Sequence, residues 1–239
     1  WGNWDSARSP AWQVERARSI VDAYARVQPM LQEHSPAYPE AERVAGLIKR
    51  GAADMPFSLD GAPADGTTGD HLVGPGHDTE GSDWITTVVD ADDARPVEIS
   101  VWGGTADLAQ ALWRARETRS SSELARFIAR MRVHAIDDQD PTGPWIRREF
   151  PSLFYVFNHS PDGDKWNSCY RGMFTGGDLS LTSRAWIEEH VRTGHGALGA
   201  AYPTETYTGP NPHKCLKEGD TPSWAYFLRN GLNVPERPE

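Results

Sequence analysis

The apolar residues of this chain change their spacing several times, and each change predicts an element. After Ser9-Pro10, a cap followed by proline at the first helical position, Ile20, Tyr24, Val27 and Leu31 recur at helical spacing. The other face holds Glu15, Arg16, Arg18 and Arg26, and Ser35-Pro36 breaks the helix. Pro39 opens a second helix, with Val44, Leu47 and Ile48 inward and Gly51 as the stop. Residues 52–80 are dense in Gly, Pro and Asp and read as loop. A third helix runs from about Gly81 to Asp90 with Trp84, Ile85 and Val88 inward.

From Val97 to Asp140 the order is clearest. Val97 to Trp102 reads as a strand ending at Gly103-Gly104, where a helix with Leu108 and Leu112 inward begins. Leu124, Phe127, Ile128 and Met131 then follow the i, i+3, i+4, i+7 pattern. Arg132 to Ile136 reads as a second strand running into Asp137-Asp138-Gln139-Asp140. A helix from Gly143 to Phe150 and a strand from Leu153 to Phe157 follow. Strands alternating with helices predict an α/β fold: a mostly parallel open sheet with flanking helices. Both the Gly-Gly turn and the acidic loop then leave the carboxyl edge of that sheet, where open α/β sheets bind ligands. Beyond it, Ser183 to Val191 reads as a helix closed by Gly194, residues 194–219 as loop, and Pro222 to Gly231 as a last helix. Residues 1–239 are read as a single domain, completed by the loop-rich part 158–239.

Charge narrows the partners. A net charge of −10 disfavours nucleic acid, whose phosphates need clustered Lys and Arg, and an anionic membrane surface. No apolar run approaches the ~18 residues of a membrane span. Cys169 and Cys215 leave a disulfide and two free thiols equally open. Ten tryptophans are many; most belong in a core, and a few are candidates for a sugar-stacking platform. The chain opens on Trp1, which suggests either a processed leader or a fragment.

Three constellations carry candidate chemistry. Closely spaced carboxylates in Asp137-Asp138-Gln139-Asp140 are costly to assemble unless a hard cation such as Ca²⁺ or a network of sugar hydroxyls compensates; the alternative is a solvated loop with an Asp capping the helix near Pro144. Asp220, in Lys217-Glu218-Gly219-Asp220-Thr221-Pro222-Ser223, sits just before a helix as ligand or as cap. Gly103-Gly104-Thr105 lets backbone approach a ligand, without being a GxGxxG or P-loop motif. His77, in Gly-His-Asp-Thr-Glu-Gly, and His195 lie on Gly-rich loops, whereas His134 is placed as structural. No G-x-S-x-G elbow is present.

Together the motifs His77-Asp78-Thr79-Glu80-Gly81-Ser82, Val101-Trp102-Gly103-Gly104 with Leu108-Ala109-Gln110-Ala111-Leu112, Arg132 to Asp140 with Trp145-Ile146, and Lys217 to Ser223 resemble the nucleoside hydrolase-like domain of cellulose-binding bacterial proteins. The resemblance implies a fold related to ribonucleoside hydrolases, which cleave glycosyl bonds around an aspartate-held Ca²⁺. It implies a carbohydrate or riboside ligand, with a non-catalytic carbohydrate-binding module as the alternative, and leaves a homo-oligomer open. Asp138 and Asp140 become the catalytic or sugar-contacting carboxylates and Asp220 a metal ligand. His77, Asp78, Glu80, Trp102, Gly103, Gly104 and Trp145 become substrate contacts. Ala106 departs from an Asn common in the family. The family's opening Asp-rich strand, which supplies most metal ligands, is expected ahead of Trp1, so the fold reads as N-terminally truncated with an incomplete Ca²⁺ site. An extracellular or periplasmic location is expected.

Overall fold

The computed structural model describes residues 10–53, 68–157 and 178–203. They divide between two compact units: residues 50–157 lie in one, and residues 10–49 with 178–203 in the other. Among the described residues no helix is long and apolar enough to cross a membrane.

The first unit is the predicted α/β layer. Strands β1 (Val97–Val101), β2 (Met131–Ala135) and β3 (Phe154–Phe157) are parallel and lie in the order β1-β2-β3. Val101 pairs with Ala135, and Ala135 with Phe157, so the three strands end level. Helices α4 (Ala106–Thr118) and α5 (Ser121–Ala129) cross from β1 to β2, α6 (Thr142–Glu149) crosses from β2 to β3, and α3 (Glu80–Asp90) packs beside α4. Local chemistry starts the helices on time. Thr79 with Ser82, and Ser120 with Glu123, form reciprocal capping boxes at α3 and α5. The core gathers Leu112, Met131, Val133, Trp145 and Ile146, each at most 2% exposed. Burying one such aliphatic side chain contributes about 1.5–3 kcal/mol.

Three boundaries differ from the periodicity. Met131, placed by its spacing on the apolar face of α5, is the first residue of β2. The helix stops because Arg130 turns the chain, donating its amide to the Phe127 carbonyl while its own carbonyl accepts from Val97 and joins the sheet. Trp102 and Ile136 fall just past their strands, in the loops of the carboxyl edge.

The second unit is helical: α1 (Pro10–His34), α2 (Ala41–Gly46), α7 (Arg184–Ile187) running on into a π-turn (Glu188–Arg192), and α8 (Gly196–Ala201). The inward stripe of α1 runs through Ala23 and Gln28; Ile20 is 36% exposed. Gln28 is buried because its amide is used twice, donating to Glu40 (2.6 Å) and accepting from the Ala41 amide at the start of α2 (2.9 Å). That helix ends at Gly46 rather than Gly51, and Leu47, expected inward, is 52% exposed as its cap. The stretch read as loop from residue 194 contains α8, whose Gly and Ala composition gives no apolar period to detect. Cys169, Cys215, Asp220 and the helix expected at Pro222 lie outside the described residues.

Candidate binding edge of the parallel sheet

Because β1 and β2 end level, the turn after β1 meets the acidic loop after β2. Asp140 is 2% exposed and accepts from the amides of Thr105 and Thr142 (both 2.8 Å) and from the Thr142 hydroxyl (2.5 Å). The Thr105 hydroxyl lies 3.4 Å away and is itself bonded to Thr142 (2.7 Å). Asp140 thus ties the start of α4 to the start of α6. Burial pushes its carboxyl above the ordinary range, against the opposing hydrogen bonds from Thr142 and Thr105. Gly104 explains how the carboxylate fits: a Cβ there would collide with Asp140 Oδ2. The glycine therefore clears space for an aspartate of the same protein.

Asp138 has a different partner. Both its oxygens accept from Arg147, at 2.8 Å and 2.6 Å, in the bidentate geometry that makes such pairs strong. The guanidinium carbon stands 3.9 Å from the centre of the Phe157 ring, so Arg147 is held by stacking as well as by charge. Gly143 stands where a Cβ would strike Asp138 Oδ1, and the buried Tyr155 hydroxyl lies against the same spot. Burial pushes the Tyr155 phenol up, and the Asp138 charge adds to it. Residues 137–140 are all buried, so the loop caps α6 as one reading allowed but is not solvated.

The two tryptophans assigned to the ligand separate. Trp102, on the turn after β1, is 40% exposed, the most open large apolar side chain among the described residues of this unit. Trp145 is 2% exposed and belongs to the core, tilted against Phe150, with its indole N–H donated to Asp70 (3.0 Å).

Asp78 and Glu80 lie beside α4: Asp78 accepts from Gln110, and Thr79 and Gly81, which flank Glu80, stand against Asp107 in the first turn. His77 and Asp78 are exposed. Gln110, 1% exposed, bonds Gly74 and Asp78, five residues or ~7.5 Å along the helix from Thr105. Glu80 accepts from the Arg50 amide (3.1 Å). Asp107 accepts from the Thr79 hydroxyl (2.5 Å) and the Ala52 amide (3.1 Å), and burial pushes its carboxyl up. His134 is 5% exposed in β2, as expected of a structural histidine.

Arg147 and Thr142 stand outside the motifs, and Thr105 enters them only as the end of the Gly103-Gly104-Thr105 turn. Gln110 lies within a run that carries the resemblance, a lone amide in the apolar stretch Leu108-Ala109-Gln110-Ala111-Leu112, with no role assigned to it there.

Among the described residues no three His, Cys, Asp or Glu side chains gather closely enough to hold a metal ion. The donor set agrees. Asp140 faces hydroxyl and amide donors, and Asp138 faces a guanidinium, so these two carboxylates as arranged do not fit a Ca²⁺ site.

Three comparisons bear on this geometry. No curated protein matches the chain. A solved structure from Saccharophagus degradans, a nucleoside hydrolase-related hypothetical protein associated with carbohydrate metabolism, matches with a TM-score of 0.68 at 30% identity. That match covers 92% of this chain and 44% of the other, so this chain spans less than half of its solved relative. The likeness bears out the α/β class and the resemblance carried by the motifs. Residues 4–239 match the family model of the cellulose-binding Sde182 nucleoside hydrolase-like domain, and the chain belongs to that family.

Proposed function

We propose that this chain binds a carbohydrate at the carboxyl edge of its parallel sheet. Trp102 supplies the apolar ring face, and the locked aspartates hold the edge in shape. The observation that carries the proposal is the contrast within this edge: a tryptophan 40% exposed stands beside carboxylates that are buried and already partnered. A sugar presents C–H faces and neutral hydroxyls, which suit an open aromatic plane with a few polar neighbours. The family's cellulose-binding description supports a β-glucan as ligand. An insoluble polysaccharide is met outside the cell, which favours an extracellular or periplasmic location.

Hydrolysis of a glycosyl bond, in a carbohydrate or a riboside, is the second reading, favoured by the family's nucleoside hydrolase-like description. On this reading the reacting carboxylate and any calcium ligands come from beyond the described residues, Asp220 among them, because Asp138 and Asp140 are engaged.

Titration calorimetry with cellohexaose, with and without calcium, tests both, with reducing ends counted in the same samples. Heat of binding with no new reducing ends supports the binding module. Calcium-dependent release of reducing ends supports the hydrolase. Absence of heat and product together rules out a β-glucan ligand.

A further inference from the structure

A buried amide reaches both ends of the turn that carries His77. Gln110 lies on α4 and is 1% exposed, yet it is polar and faces no solvent. Its Oε1 accepts from the Gly74 amide (2.9 Å), and its Nε2 donates to the Gly74 carbonyl (3.0 Å) and to Asp78 Oδ1 (2.9 Å). Toward Gly74 the side chain behaves as a neighbouring strand would, offering one donor and one acceptor to the same residue. Between the two bonded residues lies a tight turn, closed by the His77 amide donating to the Gly74 carbonyl (3.2 Å). Pro75 in its second position and Gly76 at φ +87° in its third match a type II turn. Gly74, at φ +134°, holds a conformation that L side chains rarely adopt.

We infer that Gln110 is the positioning residue of this turn: its amide clasps both feet, Gly74 and Asp78, and fixes where the exposed His77 is presented. Arg114, one turn further along α4, steadies the second foot from 3.2 Å and also pairs with Asp83. Along one face of α4, Asp107, Gln110 and Arg114 reach Thr79, the turn and Asp83 in succession. An exposed imidazole beside a half-exposed carboxylate, on a turn fastened at both ends, offers a positioned hydrogen-bonding contact for a ligand. Contact between His77 and a sugar rests on the carbohydrate reading above; the clasp does not.

The test compares Gln110→Met and Gln110→Glu with the wild-type chain by hydrogen–deuterium exchange. Methionine keeps the volume and removes every hydrogen bond. Gln110→Met is expected to speed exchange at residues 74–78 at least tenfold while the β2 amides keep their protection. Gln110→Glu sets a carboxylate against the Gly74 carbonyl and Asp78. It should loosen the turn at neutral pH and tighten it again as acid restores an O–H donor, once intrinsic exchange is corrected for. A side chain that merely fills space would give no such pH profile. Unchanged exchange at 74–78 in Gln110→Met, or a pH-independent Gln110→Glu, overturns the inference. Cellohexaose calorimetry on the same proteins separates the two ideas. If wild type binds and Gln110→Met, with its turn loosened, binds equally well, His77 presentation is overturned. If wild type does not bind, the carbohydrate reading falls while the exchange result still decides the clasp.

Discussion

Two loops of the sheet unit invite opposite expectations and reverse them. The acidic loop, residues 137–140, has the composition of an open, charged site, and it is buried throughout. The glycine turn at 74–77 has the composition of slack connection, and it is fastened at both feet by Gln110. The difference lies in where partners come from. Asp138 and Asp140 meet donors delivered by the start of α6, by Arg147 further along it, and by the start of α4, so their charge is compensated inside the fold. His77 has no such neighbourhood and stays in solvent. Density of carboxylates in a sequence therefore does not mean availability: an aspartate at a helix start is as well suited to hold backbone amides as to hold a ligand.

This contrast can be broken at several points. The largest effect is expected from Arg147→Ala, which leaves Asp138 as a buried, unpaired carboxylate and should cost about 3–5 kcal/mol. Urea unfolding measures it, and a loss below 1 kcal/mol would mean Asp138 finds water instead. Gly104→Ala comes next. Its new methyl must displace an Asp140 side chain held by Thr105 and Thr142, and overpacking of this kind costs ~1–3 kcal/mol. Thermal unfolding should show the drop, whereas Gly76→Ala, with open space around it, should show only the strain of its φ of +87°.

The smallest effect is a pH dependence at Asp107. Burial raises its pKa, so the folded chain holds this proton to higher pH than the unfolded chain does. The resulting stability is fully present below the ordinary carboxylate value and is lost as pH rises through the raised one. Asp107→Asn removes that loss while keeping an acceptor for Thr79 and Ala52. The variant should therefore gain on the wild type as pH rises through and above the ordinary carboxylate range. Parallel pH profiles for the two proteins would contradict it.

How much was legible in the sequence follows from the range of the forces involved. The three strands and the helices between them announce themselves through local patterns: short β-branched or aromatic stretches for the strands and 3.6-residue apolar spacing for the helices. Met131 was misplaced because its spacing suits a helix equally well, and only pairing with Val97 decides the matter. The carboxyl edge was legible from strand order, and Asp138 and Asp140 stand on the loop that leaves it after β2. What escaped was their state. Arg147 lies nine residues from Asp138, and Thr105 thirty-five from Asp140, so neither bond leaves a local pattern. Trp102 and Trp145 look alike as letters and part company only through the packing of α6. In the helical unit, α8 was invisible because Gly and Ala carry too little contrast to show a period.

Calorimetric titration of cellohexaose into wild type and Trp102→Ala tests the central claim most directly, with circular dichroism confirming that both are folded. The account predicts that the wild type binds and that the exposed ring is its contact, so the variant should lose at least tenfold in affinity, ~1.4 kcal/mol. Equal affinities in the two folded proteins would contradict it.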